Sequence, residues 1–83
     1  MNKVWIVTAR LRDSQVETFE GVFAHIALVE QSVRMTYSNT PAVIKLREGQ
    51  NIFEYFYDVT LKDRVVATFI AREKEVLDIV EHF

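Results

Sequence analysis

The alternation of apolar and polar residues at the start of the chain predicts two strands. Lys3–Leu11, KVWIVTARL, is rich in β-branched and aromatic residues and carries apolar side chains on both faces. Such a strand is typical of the middle of a sheet that is covered from both sides. A polar turn follows, and Val16–Phe23 alternates again. The aromatic side of this second strand would be formed by Phe19, Gly21 and Phe23.

Apolar residues then recur at helical spacing, which predicts a helix over Ala24–Tyr37. One apolar stripe of this helix consists of Ile26, Val29, Val33 and Tyr37. A smaller stripe on the opposite side consists of Ala24, Leu28 and Met35. A helix that packs through one face needs only one stripe. Leu28 and Met35 are therefore predicted to contact a partner, with burial between the layers as the alternative.

The second half of the chain predicts two hairpins and a terminal helix. The first hairpin joins Ala42–Arg47 to Ile52–Val59 through the turn EGQN, and the second joins Asp58–Leu61, the end of that same middle strand, to Val65–Ala71 through the turn KDR. Arg72–Phe83 repeats apolar residues at helical spacing and would place Glu73 and Glu75 in a first turn, where the helix dipole favours acids.

Together these elements predict a single small α+β domain spanning residues 1–83. The predicted order is ββαβββα, with a mainly antiparallel sheet, one helix packed on a face of that sheet and a C-terminal helix. The sequence shows no internal repeat and no linker composition that would divide the domain.

The EGQN hairpin decides which aromatic rings face the core. An even loop places Lys45 opposite Glu54, whereas an odd loop would place Lys45 among the aromatic side chains. With the even loop, Tyr55 and Tyr57 share a side with Ile44. The tyrosines are therefore predicted to be core residues and not an exposed stacking platform.

The other side of the same strand carries Phe56 between Glu54 and Asp58. A two-residue loop in the KDR turn would place Phe69 opposite Phe56, and a three-residue loop would place Ile70 on that side instead. Either loop gives an apolar patch ringed by charges, and a contiguous patch of this kind is often functional. The terminal helix, a second copy or a foreign protein would cover it. Glu54, Phe56, Asp58 and Phe69 are accordingly predicted partner-binding residues.

Composition and charge narrow the class of protein. An 83-residue chain buries only about 60% of the surface that it exposes when unfolded, so its stability margin is small. Net charge is −2 without any long run of one sign, and the absence of cysteine suits a reducing compartment. The first apolar run is too short for a signal peptide or a membrane span. These features predict a cytoplasmic protein that does not insert into a membrane.

Residues for catalysis or metal binding are scarce. The two histidines, His25 and His82, lie far apart, and without cysteine no transition-metal spacing is present. Glu54 and Asp58 would be about 13 Å apart on a strand, beyond the separations of glycosidase carboxyl pairs. We therefore expect no enzyme activity, no metal and no cofactor. Nucleic-acid binding is also disfavoured, because the two acids beside Phe56 would repel phosphate.

The stretch VWIVTARLRDSQVETFEGVFAHIALVEQSV resembles the start of small phage and bacterial domains in which a strand, a polar loop and a second strand lead into a helix. The matching feature is Gly21-Val22-Phe23 before Ala24, within roughly the first 35 residues. In general character the chain is similar to small phage accessory proteins, including anti-CRISPR and other anti-defence inhibitors. That resemblance implies binding to a host protein or complex, often as a dimer and without catalysis.

The leading hypothesis is thus a non-enzymatic protein-binding module that acts as a phage-encoded inhibitor of a host complex and self-associates as a homodimer. One alternative is a small-ligand binder, such as a nucleotide-signal protein, that uses Tyr37, Tyr55 and Tyr57 for stacking and Arg34 or Arg47 for phosphate. The other alternative is a structural subunit of a larger assembly.

Overall fold

A computed structural model of the chain describes residues 3–49 and 53–76. Its elements are β1 (Lys3–Leu11), β2 (Thr18–Phe23), α1 (Ile26–Thr36), β3 (Val43–Glu48), β4 (Glu54–Leu61) and β5 (Arg64–Glu75). The strands form one five-stranded sheet in the order β2-β1-β5-β4-β3, and every neighbouring pair is antiparallel. The described residues therefore form an α+β fold. Most of the predicted terminal helix, residues 77–83, lies outside them.

The helix α1 packs on one face of the sheet through the apolar stripe that its period predicts. Val29 and Val33 are fully buried, and Ile26 and Tyr37 pack at the margin of the same cluster. The sheet contributes alternate residues to this core: Trp5, Val7, Ala9, Tyr57, Val59, Ala67, Phe69 and Ala71. The small alanines of β1 and β5 lie among larger rings and branched side chains, which lets the helix approach the central strands closely.

Strand β5 is longer than predicted and replaces the start of the terminal helix. Arg72–Glu75 pairs with Lys3–Ile6 of β1, so the two acids do not lie in the first turn of a helix. A salt bridge of 3.3 Å joins Lys3 to Glu73 across the pair. Cross-strand hydrogen bonds extend along the whole of β1, and this tertiary pairing outweighs the local helical pattern of the segment.

In the β3–β4 hairpin the side chains face the predicted sides of the sheet, but the residues pair in a different register. Leu46 pairs with Tyr57, and Lys45 pairs with Asp58 instead of Glu54. Six residues separate Glu48 and Tyr55, the last pair, so the loop is longer than predicted but still even. Gly49 closes the hairpin, because its N–H donates to the Glu54 carbonyl oxygen at 3.0 Å and an added Cβ would lie 2.7 Å from that oxygen.

The β4–β5 hairpin corrects the predicted position of Phe69. Its turn has two residues, Lys62 and Asp63, both with positive φ, as in a type I′ turn. A bulge just beyond the turn adds one residue to β5, so Phe69 pairs with Tyr57 and faces the core. The prediction that Phe69 lies beside Phe56 is wrong for this reason. Ile70 is the residue opposite Phe56.

A second bulge, in β2, reverses the predicted side of Phe19. Val7 pairs with Gly21 and Thr8 pairs with Phe19, which leaves Glu20 as the extra residue. Gly21 has a φ of 157°, and the bulge moves Phe19 away from the core face. Phe19 is 66% exposed as a consequence.

The contrast between the two phenylalanines predicts the effect of the same substitution at each. We expect Phe69→Ala to lower the free energy of unfolding by about 3–5 kcal/mol, because it leaves a cavity between α1 and the sheet. Phe19→Ala should change it by less than about 0.5 kcal/mol. Urea unfolding of the two variants measures both values. Equal effects at the two positions would contradict the burial of one ring and the exposure of the other.

Candidate partner-binding surfaces

One side of the sheet is turned away from α1, and we call it the open face. It consists of alternate residues of Val4–Arg10, Val43–Arg47, Glu54–Thr60 and Thr68–Lys74, with Phe19, Val22 and Val65. Within residues 3–49 and 53–76 no helix or strand packs over this side. The open face is formed by the strands alone, since the period of two sends every second side chain to it.

Arg72 lies at the centre of the open face and holds two carboxylates. Its guanidinium reaches Glu17 at 3.2 Å and Glu54 at 3.3 Å. The Thr8 hydroxyl donates a hydrogen bond of 2.7 Å to the same Glu17 oxygen. These contacts join the loop before β2 to strands β1, β5 and β4. The network fixes long charged side chains that would otherwise be mobile in solvent.

Arg47 forms a second cluster at the β3 side of the open face. Its Nε and one terminal nitrogen donate to the two Asp58 carboxylate oxygens at 2.8 and 3.2 Å, a bidentate pair. The Thr68 hydroxyl donates to Asp58 at 2.9 Å. The guanidinium also lies 4.6 Å from the centre of the Phe56 ring, within cation–π distance. Arg47 thus covers part of the Phe56 ring while it neutralises Asp58.

Hydrogen bonding shifts the ionisation of both clusters. The Arg47 hydrogen bond lowers the pKa of the Asp58 carboxyl, with a smaller contribution from the Thr68 hydroxyl. The Thr8 hydrogen bond, followed by Arg72, lowers the pKa of Glu17. The hydrogen bond between Arg47 and Asp58 also raises the pKa of the Arg47 guanidinium. Both carboxylates therefore remain charged and paired throughout the neutral range.

Apolar side chains fill the spaces between these ion pairs. Val22 and Val43 are 52% and 53% exposed at opposite edges of the sheet. Between them, Ile70 is buried although it points away from the core, with Thr8 and Phe56 as its cross-strand neighbours. The open face is therefore apolar with charged pairs set in it, as the sequence predicts for the side that carries Phe56.

A second apolar surface, the helix groove, lies between α1 and the end of β2. It has a volume of about 580 Å³ and is lined by Phe23, Leu28, Gln31, Ser32, Met35 and Thr36. Leu28 is 42% exposed and Met35 is 68% exposed. The smaller stripe of the helix thus places these two predicted residues in one groove that the sheet does not cover.

The structure divides the six predicted partner-binding residues among three places. Leu28 and Met35 lie in the helix groove, and Glu54, Phe56 and Asp58 form one row of the open face. Phe69 lies in the core.

Sequence reasoning missed that Arg72 pairs with Glu54 and Arg47 pairs with Asp58, and that Glu17 joins the Arg72 cluster. The local pattern places Arg72 in a helix, where it would not face β4. The two carboxylates that it holds, those of Glu54 and Glu17, are 18 and 55 residues away along the chain. No local signal in the sequence brings groups at such separations together.

The residues proposed for a small ligand are engaged elsewhere. Tyr57 is buried, and Tyr37 packs edge-on against Phe69 with ring centres 6.2 Å apart. Tyr55 lies 5.5 Å from Trp5, ring centre to ring centre. A cleft of about 270 Å³ beside α1 contains Tyr55 and Tyr57, and Glu30 also lines it. Arg34, the cation nearest to it in α1, lies 3.7 Å from Glu30.

Burial raises the pKa of Tyr57, with the Glu30 charge as a smaller cause. This shift follows from the core position of the tyrosine. Among the described residues no group of His, Asp and Glu has the geometry to hold a metal ion. His25 is the N-cap residue of α1 and its side chain makes no cap hydrogen bond, while His82 lies outside those residues.

Comparisons with known proteins add no relative. No protein-family model, curated protein or solved structure matches the chain. In the part of the chain that the structure describes, no helix has the length and apolar character needed to cross a membrane.

The Arg47–Asp58 pair predicts a pH dependence of stability. Because folding lowers the pKa of Asp58, the pair stabilises the fold fully above the ordinary carboxyl value of about 3.9. That stabilisation is lost as pH falls through the lower folded value. In a carboxyl NMR titration, Arg47→Gln should raise the pKa of Asp58 towards its ordinary value. Arg34→Gln, on the opposite side of the sheet, should leave it unchanged. An unaltered Asp58 in both variants would contradict the pairing.

Proposed function

We propose that this chain is a non-enzymatic protein-binding module. The observation that carries the proposal is the open face, an apolar sheet surface set with immobilised ion pairs. Large apolar patches on a monomer usually mark interaction sites, and ion pairs that are already ordered cost little further entropy on binding. The helix groove is a second apolar surface of the same kind, and the two lie on different sides of the sheet.

The specific form of the proposal comes from the resemblance to small phage accessory proteins. On that basis the module is a phage-encoded inhibitor that acts in the host cytoplasm, binds a host defence protein or complex and self-associates as a homodimer. The same resemblance implies no catalysis by the chain itself. Two surfaces of different composition would let one bind the host protein while the other joins two copies.

Charge-introducing variants on each surface test the proposal. The wild-type protein, Val43→Glu on the open face and Met35→Glu in the helix groove would be tagged and incubated with nuclease-treated bacterial lysate. Val16→Glu is the matched control, because Val16 is 68% exposed in the loop before β2 and belongs to neither surface. We expect one host protein at stoichiometric yield with wild type and control, and loss of at least about nine-tenths of it with one surface variant.

Phe56→Glu provides a second open-face variant, with circular dichroism to establish that it is folded. Undiminished binding by folded Val43→Glu, Phe56→Glu and Met35→Glu would remove both surfaces from the proposal. A wild-type protein that captures nothing but releases heat with a nucleotide in calorimetry would replace it with the small-ligand alternative. Sedimentation of the same variants measures the dimer, which Met35→Glu or Val43→Glu should dissociate.

A further inference from the structure

The open face carries a charge opposite to that of the whole chain. Five of the ten basic residues lie on it: Arg10, Lys45, Arg47, Arg72 and Lys74. Its carboxylates are Glu54 and Asp58, with Glu17 reaching in from the loop. The face is thus net +2, from five basic and three acidic groups. The other residues among 3–49 and 53–76 carry five basic and seven acidic groups, a net charge of −2.

The negative charge of these three acids is weakened at a distance, because arginines of the same face pair with them. Arg72 pairs with Glu17 and Glu54, and Arg47 pairs with Asp58. Paired charges at contact distance largely cancel at the distance of an approaching molecule. Arg47 therefore cancels the charge of Asp58, while Arg72, with one positive charge for two carboxylates, leaves −1 that the other cations of the face outweigh. The net charge of the folded surface is thus positive, and the sequence-based argument that Glu54 and Asp58 would repel an anion does not apply to it.

Three cations of the open face remain without an ion pair among the described residues: Arg10, Lys45 and Lys74. They are all exposed and lie on three sides of the apolar centre. Arg10, opposite Thr68, lies near the C-terminal end of β1, Lys74, opposite Val4, lies near the C-terminal end of β5, and Lys45 is on the edge strand β3. The uncompensated charge therefore forms a positive rim around the apolar centre.

The centre favours a protein surface over a nucleic acid. Ile6, Ile70 and Val43 are aliphatic, and the exposed Phe19 ring lies alone on the edge strand β2, whereas a single-strand-binding surface stacks successive bases on several rings. Arg47 lies over the Phe56 ring and occupies a stacking position there. A second copy is also disfavoured on this side, since face-to-face packing would bring one net positive surface against another.

We infer that the open face binds an acidic protein surface, in which apolar side chains contact the exposed Val22 and Val43 and carboxylates meet Arg10, Lys45 and Lys74. The inference rests on the proposed protein-binding function and adds the side of the sheet and the chemistry of the partner. The positive rim accelerates association and selects for acidic partners, and the exposed apolar side chains of the face hold the complex together.

The test begins with a photo-crosslinking amino acid placed at Val43 or Val22 on the open face, at Met35 in the helix groove, and at Val16 as the control. The full-length protein is irradiated in bacterial cells. Mass spectrometry identifies what each position captures. We expect a foreign protein with an acidic contact surface at both open-face positions and not at Val16.

The captured protein is then purified and its Kd is measured with two charge-reversed variants of equal formal charge. Arg10→Glu/Lys45→Glu/Lys74→Glu reverses the rim, and Arg12→Glu/Lys62→Glu/Arg64→Glu reverses three exposed cations in or beside the turns. We expect the rim variant to bind at least about tenfold more weakly and the control variant to bind within about twofold of wild type. Salt should weaken wild-type binding more than binding by the rim variant.

The outcomes separate this inference from the proposed function. A foreign protein captured only at Met35 would overturn the open-face inference and leave the protein-binding function in place. Capture of nucleic acid, of a second copy or of residues 77–83 of the same chain at Val43 and Val22 would also overturn it. Equal loss of affinity in both charge-reversed variants would remove the role of the rim. No protein captured at any position would contradict the protein-binding function itself.

Discussion

The pairing of β5 with β1 on one side and β4 on the other is the constraint on which the rest of the structure depends. Because both neighbours are hydrogen-bonded to it, each side chain of β5 is assigned to one of two faces. Ala67, Phe69 and Ala71 form the floor beneath α1. Thr68, Ile70 and Arg72 form the middle of the open face. A shift of one residue would exchange the core and the candidate binding surface.

Two β-bulges determine which residues lie on each of the two faces. The bulge after the Lys62–Asp63 turn places Phe69 under the helix and Ile70 beside Phe56. The bulge in β2 moves Phe19 to the exposed side, next to the row that contains Val22. Bulges therefore supply both the last large ring of the core and an additional aromatic ring for the open face.

Arginines from neighbouring strands neutralise much of an acidic row on the open side of β4. Glu54 and Asp58 are consecutive acids on the open side of β4, and without partners they would repel each other and any anion. Arg72 and Arg47 come from the flanking strands and hold them, while Arg47 also shields Phe56. The buried Ile70 beneath this layer shows that the open side packs well enough to exclude water locally, although within the described part of the chain only side chains cover it.

The sequence by itself determined the strands β1 to β4 to within a few residues, the core stripe of α1, the two exposed residues of its smaller stripe and the side of β4 that carries Phe56. These features follow from local periods of two and 3.6 residues, which the chain carries whatever its partners. Tertiary structure decided the length of β5, the register of the hairpins, the burial of Phe69 and the ion pairs of Arg72. Bulges and loop lengths leave no periodic mark, and contacts between residues 55 apart depend on which strands become neighbours.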